Sequence, residues 1–321
     1  MSGRPFSRAL VVRGGALGDF LLSLPAIASM RAASPDARIE VLAYPGIAAL
    51  AGDSGLVDAV RPIEYAPLAR FFTRGGAMDP ELREYFASFD TIVSYLYDPD
   101  GIFAENLRAS GVRRLVIGPH RPAETSHAID QFATPLAELG ISFSRRALRL
   151  SLHPEKYPTP VIALHPGSGS PRKNWPATRW ARVAKTLLET YPQTRVAVVA
   201  GEADQAALDE MRELTMEKNV ECWRDLPLPQ LARRLAGASA YLGHDTGVSH
   251  LAALCGTPSL LLFGPTDPGV WAPPHDHVAI LRAPGGELAA LPTDTVLAAA
   301  SRLVSDALLA SGAGGDNNAR R

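Results

Sequence analysis

Short runs rich in valine, isoleucine and leucine alternate with longer stretches of helical spacing along almost the whole chain. In the first half the runs are ALVVR, RIEVLAY, DAVRPI, TIVSYL and RLVIG; in the second they are VIALHP, RVAVVAG, VECW, AYLGHD and SLLLFG. Strands separated by whole helices cannot pair as tight hairpins, so the repetition predicts parallel sheets covered by helices on both faces. At 321 residues the chain is long enough for two such domains, each with its own core. The alternation lapses at residues 151–160, SLHPEKYPTP, where three prolines and weak periodicity suit an interdomain linker, and then resumes. The predicted organisation is one domain over 1–152, a second over 153–311, and a polar, glycine-rich tail over 312–321 that is expected to be disordered. Within GDFLLSLPAIASMRAA, Leu21, Leu24, Ile27 and Ala28 recur at helical spacing, and Pro25 inside the pattern predicts a kink or an early break.

Composition narrows the function. The 32 basic and 33 acidic residues leave a net charge of −1, the basic residues are scattered, and only 7% of residues are aromatic. Nucleic acid asks for a basic stripe interleaved with aromatics, so it is not an expected partner. Cys222 and Cys255 are the only cysteines, lie outside any CxxC or Cys/His pattern, and fit a reducing compartment without structural zinc; Cys255 reads as a buried helix residue. Before Arg13 the N-terminus offers only ALVV as a continuous apolar run, too short for a secretion signal. No run approaches the roughly 18 apolar residues of a membrane span. The expectation is a cytoplasmic protein whose substrate could still sit on a membrane face.

In doubly wound domains ligands bind beyond the carboxyl ends of the strands, and a cleft between two such domains suits two substrates. Three loops at such ends are unusual. In RGGALGD, residues 13–19, Gly14, Gly15 and Gly18 let the backbone turn sharply into a helix whose free N–H groups could face an anion. The spacing is not the GxGxxG of a dinucleotide fold, and Glu40 falls inside its strand rather than after it. Asp19 is there either as a carboxylate favouring the helix dipole or as a functional acid. In HPGSGSPRKNWP, residues 165–176, Gly167, Ser168, Gly169 and Ser170 can offer N–H groups and hydroxyls to phosphate oxygens, and Lys173 adds a positive charge. The loop does not match the Walker pattern, so an ATPase is not indicated. In GHDTGVSHLAALCGTPSLLLFGPTDP, Asp245 or Thr246 can cap the next helix, and His250 falls four residues after Thr246 on the same face. The N–H groups around Thr246, Gly247 and Val248 make a second anion site. Both anion-friendly loops belong to the second domain, so a diphosphate, as in a nucleotide-sugar, is the expected ligand.

One competing motif is Asp98-Pro99-Asp100, a DxD of the kind that holds a divalent cation on a diphosphate. DPDG after a strand is also a common turn, and the turn is the preferred reading because Lys173 and the helix N-termini already supply positive potential. No metal and no cofactor are therefore expected.

Taken in order, VVRGGALGDFLLSLPA, SHAIDQFATPLAELG, IALHPGSGSPRKNWPATRWARV, VVAGEADQ and YLGHDTGVSHLAALCGTPSLLLFGPTDP resemble glycosyltransferase family 9, the heptosyltransferases of the lipopolysaccharide inner core. The resemblance implies a GT-B architecture of two facing Rossmann-like domains with parallel sheets, acceptor on 1–152 and nucleotide-sugar donor on 153–311. It implies an inverting, metal-independent transfer, with an ADP-activated heptose as donor and a lipopolysaccharide core or another envelope glycan as acceptor, at the cytoplasmic face of the inner membrane. Asp19 becomes the general base that takes the acceptor proton, and Lys173 with the Ser168–Ser170 backbone stabilises the leaving diphosphate. Asp245, Thr246, Gly247 and His250 match the family's second donor motif, alongside Gly167, Ser168, Gly169 and Ser170. Gln205 stands where the family usually places an acid that meets the nucleoside, and can hydrogen-bond a hydroxyl without charge. For the acceptor the nearest residues are Gly18, Arg13, His120, Arg121 and His127, with no dense basic cluster. Two alternatives stay open within this reading, another nucleotide-sugar with a non-lipopolysaccharide acceptor, and a non-catalytic nucleotide-sugar binder. A nicotinamide-dependent oxidoreductase built on the first glycine loop is the third.

Overall fold

A computed structural model describes residues 5–75, 79–145 and 148–315, the last five as backbone. The chain divides into two compact units, Met1–Leu148 and Arg149–Arg321.

The first unit runs β1 (Arg8–Arg13), α1 (Leu17–Ala33), β2 (Arg38–Ala43), α2 (Pro45–Asp53), β3 (Ala59–Pro62), α3 (Pro80–Ala87), β4 (Thr91–Ser94), α4 (Ile102–Ala109), β5 (Leu115–Ile117), α5 (Ala128–Phe132) and α6 (Pro135–Glu138). Its sheet has the order β3-β2-β1-β4-β5, parallel throughout. Leu10, Val12, Leu42 and Ile92 project to one face, where they meet Phe71, Phe86 and Phe103. The alternate residues Ala9, Val11, Val41 and Val93 are equally buried. Burial on both faces is why these strands read as unbroken apolar runs.

The second unit runs β6 (Val161–Leu164), α7 (Ala177–Thr190), β7 (Arg195–Ala200), α8 (Gln205–Glu210), α9 (Arg212–Thr215), β8 (Val220–Arg224), α10 (Leu228–Gly237), β9 (Ala240–His244), α11 (Gly247–Cys255), β10 (Ser259–Phe263), α12 (Pro268–Trp271), β11 (Val278–Arg282) and α13 (Thr293–Gly315). The parallel sheet has the order β11-β10-β9-β6-β7-β8. Ile162, Leu164, Val196, Val198, Leu260 and Leu262 pack with Trp180 and Leu187 of α7 and with Val296 and Ala300 of α13. At about 1.5–3 kcal/mol for each large apolar side chain removed from water, this layer is a main source of the unit's stability.

In each sheet the chain starts in the middle, winds one way, then crosses back: β1 lies between β2 and β4, and β6 between β7 and β9. The crevices at the carboxyl ends of β1/β4 and β6/β9 are thus topological switch points, where open sheets bind ligands.

Several local outcomes differ from the sequence expectation. α1 continues unbroken through Pro25. The ring removes one helical N–H, but Leu21, Leu22, Leu24 and Ile27 around it are buried, and that packing outweighs the local cost of about 3 kcal/mol. Residues 151–160 are no free linker but a strap laid on the second unit. Leu150 N–H donates to Leu254 O (2.9 Å), Glu155 N–H to Arg233 O (2.9 Å), and the Tyr157 ring stacks on Trp223 at 6.0 Å. Beneath the strap, a Cβ on Gly237 would lie 2.0 Å from the Glu155 carbonyl oxygen, so the close approach requires glycine. Finally, β11, sequence VAILR, is an edge strand that the alternation of runs did not announce.

α13 extends to Gly315, into the stretch expected to be disordered, and residues 316–321 lie outside the described part. No helix among the described residues is long and apolar enough to cross a membrane.

Candidate functional site

At the β6/β9 switch point the loop after β6 makes a single 3-10 turn at Pro171–Lys173 before α7. That turn carries Lys173 to Asp245, where its Nζ donates to Oδ2 at 2.8 Å; Thr266 Oγ1 donates to the same oxygen at 2.8 Å. Asp245 is buried while Lys173 is about a third exposed, so the cation sits on the solvent side of the pair. Ser168 is turned inward. Its Oγ lies 2.7 Å from Ser170 O and 2.6 Å from Asn174 Oδ1, and it accepts the Ser170 N–H, which leaves the backbone around Gly169 as the open part of the loop.

Thr246 caps α11, its Oγ1 accepting the Ser249 N–H at 3.3 Å. The N–H groups of Gly247 and Val248 then lie in the first turn, ahead of any helical acceptor, where the macrodipole favours an anion. His250 is buried one turn further on. Gln205 opens α8 with both ends of its amide engaged, Oε1 accepting from Arg224 (2.6 Å) and Nε2 donating to Asp209 (2.8 Å).

Beneath the loops lie residues that sequence reasoning did not single out. His244, fully buried at the end of β9, accepts the Trp175 N–H (2.8 Å) and the Trp180 indole N–H (3.0 Å) on Nε2, while Nδ1 faces Gly167 O at 3.5 Å. Burial first, and then the neighbouring His165, push the imidazole down to about 3, so the ring stays neutral and ties the glycine-serine loop to the sheet. Asp204 accepts from His165 (3.2 Å) and from the Gly201 N–H (2.8 Å). Burial works to raise this carboxyl, but the hydrogen bond and attraction from His165, with the Gly201 N–H, hold it below its ordinary value. All of these residues sit inside the motifs HPGSGS, VVAGEADQ and GHD. Their partners are distant in sequence, so spacing gave no signal.

Folding depresses the His244 pKa, so on acidification the unfolded chain takes up a proton that the folded chain refuses. The stability that depends on the neutral ring is complete above about pH 6.5 and drains away as pH falls toward 3, at up to about 1.4 kcal/mol per pH unit. Urea unfolding at pH 7, 5.5 and 4.5 checks this against His244→Gln, which keeps an acceptor without titrating. The variant is expected to show the shallower fall; parallel losses would mean that another group titrates.

At the β1/β4 switch point Arg13 is almost fully buried. Its Nη1 donates to His120 O (2.9 Å) and Tyr95 O (3.3 Å), the guanidinium lies over the Phe132 ring, and Nη2 is 3.8 Å from Asp19 Oδ1. Burial pulls the guanidinium below its ordinary pKa, and Asp19 opposes that shift. Asp19 occupies the first turn of α1, about a third exposed, with Gly18 before it in the helix. Gly15 adopts a φ of +102°, and a Cβ there would lie 3.3 Å from Asp19 Oδ2. A pocket of about 540 Å³ opens here, lined by Arg13, Gly15, Tyr44, Tyr95, Tyr97 and His120 among others. The His120 ring lies against Tyr97, 4.7 Å between centroids. Arg121 is exposed beside it in sequence, whereas His127 is buried and caps α5, Nδ1 accepting the Ile129 N–H at 3.2 Å.

Asp98 belongs to a turn. Its backbone oxygen accepts the Gly101 N–H, and its carboxylate accepts the N–H groups of Phe103 (3.1 Å) and Ala104 (2.9 Å) at the start of α4. No group of three potential metal ligands occurs among the described residues.

Two doubly wound, parallel-sheet units with polar loops at their switch points have the fold of the GT-B class, and comparison with known proteins supplies the family. Residues 124–296, more than half of the chain, match the model of glycosyltransferase family 9 (heptosyltransferase), and the chain belongs to that family. It is 25% identical over 323 aligned residues to lipopolysaccharide heptosyltransferase 1 of Escherichia coli O18:K1:H7 (strain RS218 / NMEC), covering 90% of this chain and 95% of that protein. Among solved structures, the family 9 glycosyltransferase from Veillonella parvula DSM 2008 superposes with a TM-score of 0.76 at 18% identity, over 95% of this chain and 99% of the other. The E. coli heptosyltransferase WaaC with ADP gives 0.73 at 22% identity, over 92% and 99%.

Proposed function

We propose that this glycosyltransferase moves a heptose, or a related sugar, from an ADP-activated donor to a lipopolysaccharide core or another cell-envelope glycan, with inversion at the anomeric carbon and without a metal. The observation that carries the reading is the Lys173–Asp245–Thr266 cluster beside the first turn of α11, at the switch point of one sheet. It offers a fixed cation and free N–H groups to a diphosphate without a metal bridge. The relatives support the rest: one is named a lipopolysaccharide heptosyltransferase and another was solved with ADP.

In this mechanism the acceptor hydroxyl oxygen attacks C1 of the sugar from the face opposite the diphosphate. The new C1–O bond forms as the bond from C1 to the phosphate oxygen breaks, the acceptor proton passes to Asp19, and the electron pair leaves with the diphosphate. Lys173 and the N–H groups of Gly169, Gly247 and Val248 take up the growing negative charge. The pocket beside Asp19, with Arg13 and His120, receives the acceptor, and the protein works at the cytoplasmic face of the inner membrane.

A thermal-shift panel of ADP, UDP and GDP tests the donor, because a ligand of the native state raises Tm according to its affinity. ADP is expected to give the largest shift, and transfer from ADP-heptose is expected to survive EDTA within about twofold, since positive potential comes from the protein. A larger shift with UDP or GDP overturns the ADP assignment. Loss of transfer in EDTA with recovery on manganese overturns metal independence.

A further inference from the structure

Asp204 precedes Gln205 in sequence, but its side chain turns the other way, into the second unit. Its Oδ2 takes the Gly201 N–H and His165 Nε2, and on its other side the backbone of Gly167 presses so close that a Cβ there would lie 1.7 Å from Oδ1. His165 Nδ1 is in turn 3.4 Å from Thr246 Oγ1. One carboxylate thus braces the ends of β6 and β7, the glycine-serine loop, and through one imidazole the cap of α11.

The hydroxyls beside this chain all turn inward. Ser249 Oγ–H donates to His244 O. Fully buried Tyr241 and Thr246 both lie within reach of Ser249 Oγ, at 3.0 and 3.2 Å, and Thr246 Oγ1 is 3.4 Å from His165 Nδ1, so the Thr246 hydroxyl is engaged on its inward side. His165 bridges the two ends of the chain, with Nε2 toward Asp204 and Nδ1 toward Thr246. The order carboxylate, imidazole, hydroxyl is also that of a nucleophile triad. Thr246 Oγ1 is not such a nucleophile, because it accepts the Ser249 N–H as the helix cap.

We propose that Asp204, acting through His165, is a positioning residue for the donor site. It holds Thr246 and Gly167 in register, so that the first-turn N–H groups of α11 and the open backbone of the loop form one diphosphate cradle. Because the Thr246 hydroxyl is engaged on its inward side, the diphosphate meets the N–H groups of Gly247 and Val248 rather than the Thr246 hydroxyl. The inference rests on the donor reading above. Asp204 and His165 are themselves buried, 6% and 5% exposed, and act through Gly167 and Thr246.

The test is a double-mutant cycle on the full chain, with ADP as the calorimetric probe. Asp204→Asn and Thr246→Val are each expected to weaken ADP binding about tenfold, and together also about tenfold, because both cut the same chain. Thr246→Ser, which keeps the hydroxyl, is expected to bind as wild type does, and His165→Gln to match Thr246→Val. As a control, Gln205→Ala is expected to combine multiplicatively with Thr246→Val. A double variant weakened by the product of its single effects overturns the proposal, as does wild-type affinity in Asp204→Asn. Should Asp204→Asn not fold, the Thr246→Ser, Thr246→Val and His165→Gln series still decides: equal loss in Thr246→Ser and Thr246→Val overturns it. A wild-type protein that binds no ADP, UDP or GDP removes the donor reading, and this inference with it.

Discussion

Asp19→Ala is expected to lower the turnover of sugar transfer by about 10²- to 10⁴-fold, the range of general-base catalysis, while nucleoside diphosphate affinity stays within about twofold. Asp19 belongs to the first unit, and the proposed donor groups all belong to the second. Its other contribution, a carboxylate at the N-terminus of α1, is worth only about 0.3–1 kcal/mol. That is far too little to account for a loss of this size through unfolding. Both substitutions remove the charge 3.8 Å from Arg13, but Asp19→Asn keeps an oxygen acceptor and the side-chain volume there, so it is the cleaner companion variant and is expected to lose as much rate. Turnover within about threefold of wild type in both variants would remove Asp19 from the mechanism.

Lys173→Ala is expected to lower kcat by about 10²- to 10³-fold, as loss of a preorganised oxyanion contact does, with a smaller effect on nucleotide affinity. One complication is that Asp245 is buried, and without Lys173 its carboxylate keeps, among the described residues, only Thr266 as a side-chain donor. A stranded buried charge costs about 3–5 kcal/mol and could disturb the site by itself. The double variant Lys173→Met with Asp245→Asn separates the two effects, because it removes cation and anion together. Recovery of kcat in that double variant would show that Lys173 serves only to neutralise Asp245. No recovery is expected if its charge acts on the departing diphosphate.

Much of the architecture was legible because period and burial coincide. Strands such as VVR and AYLGH are covered on both faces, so they appear as continuous apolar runs between helical stretches. β11 escaped because it is an edge strand: Ala279, Ile280 and Arg282 are exposed, and a run that need not be apolar carries little pattern. Pro25 misled because local propensity cannot register the packing around α1. In the candidate site, Lys173, Asp245 and Thr246 do come together, and their loops were visible as clusters of small and polar residues. The braces underneath were not. His244 is bonded to Trp175 and Trp180, more than sixty residues earlier. Gln205 drew attention because the family pattern led there, while Asp204, the acid beside it, faces inward to His165.

The proline strap over the second unit bears on energetics from the unfolded side. Pro154, Pro158 and Pro160 hold φ near its extended value whether or not the segment is docked, so the free chain samples fewer conformations there. Each such restriction is worth about 0.4–1 kcal/mol where the native backbone accepts proline. The strap therefore lies down on Trp223 and Gly237 with little disorder left to lose. A segment poor in hydrogen-bond donors is kept in place as much by its narrow freedom when undocked as by its contacts when docked.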